Sequence, residues 1–177
     1  IPYSSFYLNS NANQKTKGDF KGGVDIKYGI NDAFTLDAIL VPDFGQTAFD
    51  NVILNLSPFE QKFNENRPFF TEGTELFSKG NLFYSRRIGG SPSISPELSA
   101  NESITEYPGK VNLLNALKIS GRTKNGLGIG LLNAVTEKTD AIITNDITGA
   151  TRKALIEPLA NYNVLVLDQR FRKNSSV

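Results

Sequence analysis

Apolar and polar residues alternate with a period of two along much of this chain. Over residues 19–28, Phe20, Gly22, Val24, Ile26 and Tyr28 fall on one side, and Lys21, Gly23, Asp25 and Lys27 on the other. That period predicts a strand with one apolar and one wet face. Gly29, Ile30, Asn31 and Asp32 supply turn residues, and residues 33–41 return. On the returning strand Phe34, Leu36, Ala38 and Leu40 share a side with one another. Thr35 and Asp37 take the opposite side, and Ile39 and Val41 break the pattern. The pair reads as a hairpin. A second hairpin runs from residues 111–121 through Asn125-Gly126, a strong turn dipeptide, into residues 127–136. There Leu127, Ile129 and Leu131 face one way and Gly128 and Gly130 the other. Glycine on the non-greasy side suits a crowded interior.

Weaker strands are expected at the start of residues 1–17, briefly at 50–56, at 81–88 and at 159–172. Pro42 ends the first hairpin, and PDFGQ follows as an irregular link. Residues 89–109, with Pro92, Pro96 and Pro108, read as a long loop, and 137–158 as a second polar excursion. Six or seven strands with no helical period of any length predict an all-β, antiparallel meander, fitting a soluble sandwich or a barrel. Tight turns alternating with long loops lean toward part of a transmembrane β-barrel. With Ile1 first and neither a charged nor an apolar leader region, the chain reads as a single-domain piece, 1–177, of a longer or processed protein.

Residues 55–90 alternate poorly. Six phenylalanines precede Tyr84, mixed with Glu60, Glu65, Glu72, Glu75, Arg67, Arg86 and Arg87. Ser57 and Glu60 suit a short helix over 58–63. Such a mixture needs a setting that buries rings and still pairs ions, because an unpaired buried charge is very costly. A plug-like segment folded inward against a barrel wall meets that need.

Composition narrows the chemistry. The chain has no cysteine, so disulfides and thiolate metal sites are excluded. It has no histidine, which excludes imidazole acid–base work and HExxH zinc sites. Basic and acidic residues number 19 and 18, a balance with no nucleic-acid footprint. Asp43 with Asp50, and Asp140 with Asn145 and Asp146, lack EF-hand spacing, so no metal or cofactor is predicted. No apolar run reaches membrane-helix length; a membrane location would be through strands.

The irregular segment also carries a resemblance. Its residues are Pro42, Asp43, Phe44, Asn55, Leu56, Ser57, Phe59, Glu60, Phe63, Glu65, Arg67, Pro68, Phe69, Phe70, Glu72 and Gly73, then Phe83, Tyr84, Ser85, Arg86, Arg87, Ile88 and Gly89. In this order they resemble an uncharacterised β-barrel-type domain family of Bacteroidota-like bacteria. That domain follows a carbohydrate-binding module of the family 9 type. The likeness runs from about residue 19 onward, and the family domain is longer than this chain. Val41, Lys62 and residues 48–50 depart from the family's pattern. The resemblance implies a bacterial outer-membrane location and a barrel fold, and no established activity.

Two functional readings stay open at this point. One is a non-enzymatic outer-membrane barrel segment, in transport or as a subunit of a larger surface complex. Its partners are membrane lipid and other outer-membrane proteins. Phe20, Val24, Ile26, Leu127, Ile129 and Leu131 would then face lipid. The other is a surface glycan-binding or glycan-hydrolysing domain. Candidate binding residues are Glu60, Glu65, Arg67, Phe69, Phe70, Glu72, Tyr84, Arg86 and Arg87. Glu65 and Glu72 would act as the carboxylate pair, and Phe69, Phe70 or Tyr84 would give a stacking face.

Overall fold

A computed structural model describes residues 1–11, 14–40, 64–79, 83–171 and 175–176. These form two antiparallel sheets and a single four-residue α-helix. The larger sheet uses β1 (Pro2–Asn11), β2 (Gln14–Asn31), β3 (Phe34–Leu40), β5 (Leu113–Arg122), β6 (Leu127–Thr136), β9 (Ala160–Phe171) and β10 (Ser175–Ser176), in that spatial order. The smaller sheet orders β4 (Glu102–Glu106), β7 (Thr139–Asn145) and β8 (Thr151–Glu157). The described part of the larger sheet is open, with β1 at one edge and β10 at the other. No described helix is long and apolar enough to cross a membrane, which says nothing about strands.

Both expected hairpins form. The first turns on Asp32 and Ala33, where Asn31 Oδ1 accepts hydrogen bonds from the amides of Ala33 (2.8 Å) and Phe34 (3.0 Å). That side-chain turn lets Gly29 and Ile30 stay in β2. The second turns at Gly126, whose φ of 85° only glycine adopts freely. β2 also begins at Gln14, five residues before the apolar alternation does, and pairs with β1 through polar positions.

Three expectations change. The expected loop at 89–109 contains β4, and the expected polar excursion at 137–158 is the β7–β8 hairpin. They meet in the smaller sheet, where Ile104 lies opposite Ile143. Ala141, Ile143 and Ile156 are fully buried there. Each stretch carries too few apolar residues to announce a strand alone; the pairing between them supplies the burial. The strand expected over 81–88 is instead a 3-10 turn at Ser85–Arg87, within the described 83–88. Its carbonyls are claimed by an arginine, as described below, and are withheld from a ladder. The expected helix at 58–63, the pairing at 50–56 and the link after Pro42 lie outside the described residues.

Register separates the two faces of the larger sheet. Ile39, Ala116, Ala134 and Tyr162 form one cross-strand row; Lys27, Asp37, Lys118, Leu132 and Val164 form the next. This face holds the core: Phe69, Phe70, Phe77 and Ile88 pack over Ile39, Leu113, Ala116, Leu132 and Ala134. Ile39 breaks the alternation of β3 because it points to this buried face. The opposite face presents Val24, Ile26, Tyr28, Leu40, Leu131, Leu165, Leu167 and Phe171, all exposed. Leu165 is 65% and Leu167 62% exposed, high for leucine.

Candidate functional site

The segment 64–90 lies on the core face as a knot around Arg67. The guanidinium grips Glu65 in fork geometry, Nε to Oε1 at 2.8 Å and Nη2 to Oε2 at 2.7 Å. It also donates to the carbonyls of Ser85 (2.8 Å) and Ile88 (2.6 Å), and stands 4.2 Å from the Phe70 ring centroid. Ser85 Oγ donates to Glu65 Oε2 at 2.6 Å. Arg67 is only 5% exposed, yet these bonds hold its charge. Burial pushes the Glu65 carboxyl up. The hydrogen bonds from Arg67 and Ser85, with the Arg67 charge, outweigh this and leave it below its ordinary value.

Pro68 opens the short helix α1 (Pro68–Thr71), a position where its missing N–H costs nothing. The helix ends at Glu72, and Gly73 follows with a φ of 58°. Lys118, which is fully buried on β5, closes that end. Its Nζ donates to the carbonyls of Phe69 (2.6 Å) and Glu72, stands 3.4 Å from Asp37 Oδ2, and lies 4.8 Å from the Phe69 ring centroid. Orphan carbonyls at a helix end thus meet a cation held in the wall.

Further along, Leu76 and Phe77 sit over Gly128 and Gly130. A Cβ on Gly128 would come within 2.8 Å of Leu76 Cδ2, and one on Gly130 within 3.0 Å of Phe77 Cζ. The two glycines on β6 are therefore the recess into which the segment settles, as the sequence suggested for a crowded interior.

Acidic residues of the segment reach outward to the sheet. Glu72 pairs with Lys27 at 2.5 Å and Glu75 with Arg170 at 2.7 Å. The hydrogen bond from Lys27 and its charge hold the Glu72 carboxyl low. Lys79 and Arg122 both bond Asp168, which is buried on β9. Within the segment itself, Glu65 pairs with Arg67. The wall residues Lys27, Asp37, Lys118, Arg122, Asp168 and Arg170 were missed as partners. A signal was present for Lys27, Asp37 and Lys118, each at the wet position of an alternating strand.

Of the candidate binding residues, Glu65, Arg67, Phe69 and Phe70 come together in the knot. Phe69 and Phe70 meet edge to face, with centroids 5.0 Å apart, and both are buried. Tyr84 and Arg86 are half-buried beside them, and Arg87 is exposed with its Cζ 6.0 Å from the Tyr84 ring centroid. Glu72 stands apart, exposed and paired with Lys27. Glu60 lies outside the described residues. Glu65 and Glu72 thus serve separate cations. Asn145, weighed as part of a cation site, spends its Oδ1 on the amides of Ile147 (3.1 Å) and Thr148 (2.9 Å) in the β7–β8 turn.

The smaller sheet has its own ion pair. Arg152 donates to Glu102 through Nε (2.9 Å) and Nη2 (2.8 Å), and the Ser99 amide adds a bond of 2.9 Å. The Arg152 hydrogen bond, the Ser99 amide and the Arg152 charge lower the Glu102 carboxyl to about 2 from an ordinary 4.5. A depressed carboxylate contributes stability in full above its unfolded value and loses it as pH falls through the folded one. Amide exchange in β4 and β8 is therefore expected to accelerate as pH drops from about 4.5 to 2, after correction for intrinsic exchange. Glu102→Gln should remove that step; an unchanged step would show that other groups produce it.

Fold and site together define a β-rich domain whose antiparallel wall carries a seated, charged and aromatic segment. The chain belongs to the family described as domain of unknown function DUF5916, whose model matches residues 1–177. No curated protein and no solved structure matches it.

Proposed function

We propose that this chain is a non-enzymatic wall segment of a bacterial outer-membrane β-barrel, in transport or as part of a larger surface complex. The observation that carries the proposal is the inversion of the larger sheet. Its charged positions Lys27, Asp37, Lys118 and Asp168 lie on the side of the packed segment, while its other face shows a continuous row of Tyr28, Leu36, Ile119, Leu131 and Leu165. A water-soluble sheet puts its apolar face inward; a barrel wall in lipid does the reverse. Large exposed apolar patches mark an interaction surface, and here the patch spans five strands. Of the side chains expected to face lipid, Val24, Ile26, Leu127, Ile129 and Leu131 all lie on this face; that of Phe20 is outside those described. The glycan reading draws less support, because Phe69 and Phe70 are buried and Glu65 is saturated by Arg67 and Ser85.

Leu167→Arg tests the proposal. In protein folded into dilauroylphosphatidylcholine vesicles, urea titration should show a loss of about 2 kcal/mol, the cost of arginine on a lipid face well inside the bilayer. An exposed leucine on a sheet facing water would tolerate the change within about 0.5 kcal/mol. That result, with no partition into detergent, would remove the membrane assignment.

A further inference from the structure

The exposed face is not apolar to its ends, and the place where it stops differs from strand to strand. Three adjacent cross-strand rows make this visible. The first, Tyr28–Leu36–Ile119–Leu131–Leu165, is apolar or aromatic throughout. The second, Ile26–Ala38–Leu117–Asn133–Asn163, turns polar on β6 and β9. The third, Val24–Leu40–Asn115–Val135–Asn161, is polar on β5 and β9 and still apolar on β3 and β2. Val135 is the one apolar residue past the line. Asn133 Nδ2 donates to Asn161 Oδ1 (2.7 Å) and Asn163 Oδ1 (2.8 Å), so the asparagines bond one another along the border.

The border therefore retreats by at least two rows between β6 or β9 and β2. Two rows are roughly 13 Å along a strand, and the strands involved span about 14–19 Å across the sheet. The slope is at least about 35–43°, in keeping with the tilt of roughly 35–45° that barrel strands adopt in a membrane. A flat protein-binding patch has no reason to end on such a diagonal. A planar lipid surface crossing tilted strands must.

Resting on the membrane reading above, we infer that the Asn115–Asn133–Asn163 line is where lipid hydrocarbon gives way to the headgroup layer. The lipid contact is thus a band oblique to the hydrogen-bonded rows. The smaller sheet stands on the aqueous side of this line, since β6 runs past Asn133 into β7 and β8 leads into β9 ahead of Asn161. The opposite end carries the short turns after Asn31 and Arg122, and the smaller sheet's end carries the short connection from β1 to β2 and the long ones from β3 to β5 and from β6 to β9. In outer-membrane barrels short turns face the periplasm and long connections the exterior, which puts the smaller sheet outside the cell.

The chain has neither cysteine nor tryptophan, so single reporters are clean. Nitroxide labels on Ile26→Cys, Leu117→Cys, Asn163→Cys and Leu167→Cys, in the full chain in dilauroylphosphatidylcholine vesicles, read depth from collisions with oxygen against a water-soluble nickel chelate. Ile26, Leu117 and Asn163 share one row. The label at 26 should nevertheless lie about 12 Å deeper than that at 163, with 117 between them. Equal depth at 26 and 163 with Leu167→Cys deep would overturn the oblique border and leave the membrane reading standing. Nickel accessibility at 167 itself would overturn both. Should a labelled variant fail to fold, Ile26→Trp and Asn163→Trp, quenched by brominated lipid, give the same comparison: stronger quenching at 26 supports the border, and equal quenching overturns it.

Discussion

Arg67→Leu should cost about 3–5 kcal/mol, the range for breaking a buried ion pair from one side. The loss has two parts. Glu65 keeps its carboxylate in a half-buried position without the guanidinium that holds its proton off. The Ile88 carbonyl loses its donor, at about 1–3 kcal/mol for a buried acceptor left unpaired, while the Ser85 carbonyl keeps the Ile88 amide. Arg67→Lys should rescue little, because an ammonium cannot make the fork to Glu65 and reach two carbonyls as well. The double variant Arg67→Leu with Glu65→Leu should recover part of the loss, since it also removes the stranded charge. Urea titration and limited proteolysis within 64–90 report both effects. A change below about 0.5 kcal/mol for Arg67→Leu would mean that the knot is held by its phenylalanines alone.

Lys118→Met should cost about 3 kcal/mol by a different route. Methionine preserves volume, so the packing against Phe69 survives, but the carbonyls of Phe69 and Glu72 lose the cation that closes the helix end. Asp37 retains Lys27 directly across the β2–β3 pair. The expected result is a loosened segment on a standing wall: faster amide exchange over 67–79, with β5 and β6 unchanged. Equal acceleration in the strands would show instead that Lys118 supports the sheet itself. Arg67 and Lys118 are thus distinguishable, the first binding the segment to itself and the second binding it to the wall.

The wall was legible in the sequence because alternation is a local signal. Phe34 to Leu40 and Leu127 to Leu131 announce both strand and face without any distant residue. The smaller sheet was not, because β4 and β7 each bury a few apolar side chains only when brought together across about forty residues. The knot was legible as a need, rings and ions that must share a buried place, and Arg67 with Glu65 met it locally. Its anchors were hidden for the reason that makes them useful. Lys118 sits at a position where alternation predicts a solvent-facing polar residue, and Asp168 follows the unbroken apolar run Val164–Leu167; only the segment laid over them turns that face into an interior. Register then explains Gly128 and Gly130, which look like weak points in a strand and prove to be the space left for Leu76 and Phe77.

The contacts of Arg67 also set an order of assembly. Its partners Glu65, Ser85 and Ile88 lie within 21 residues, so the knot can close before distant strands pair. Lys79 and Glu75, in contrast, wait for Asp168 and Arg170, which come 89 and 95 residues later. Contacts that distant carry the larger loop-closure cost and belong to the late part of folding. The early-made piece can already meet Lys27 and Lys118, so only its last ion pairs wait for β9 and mark completion of the wall.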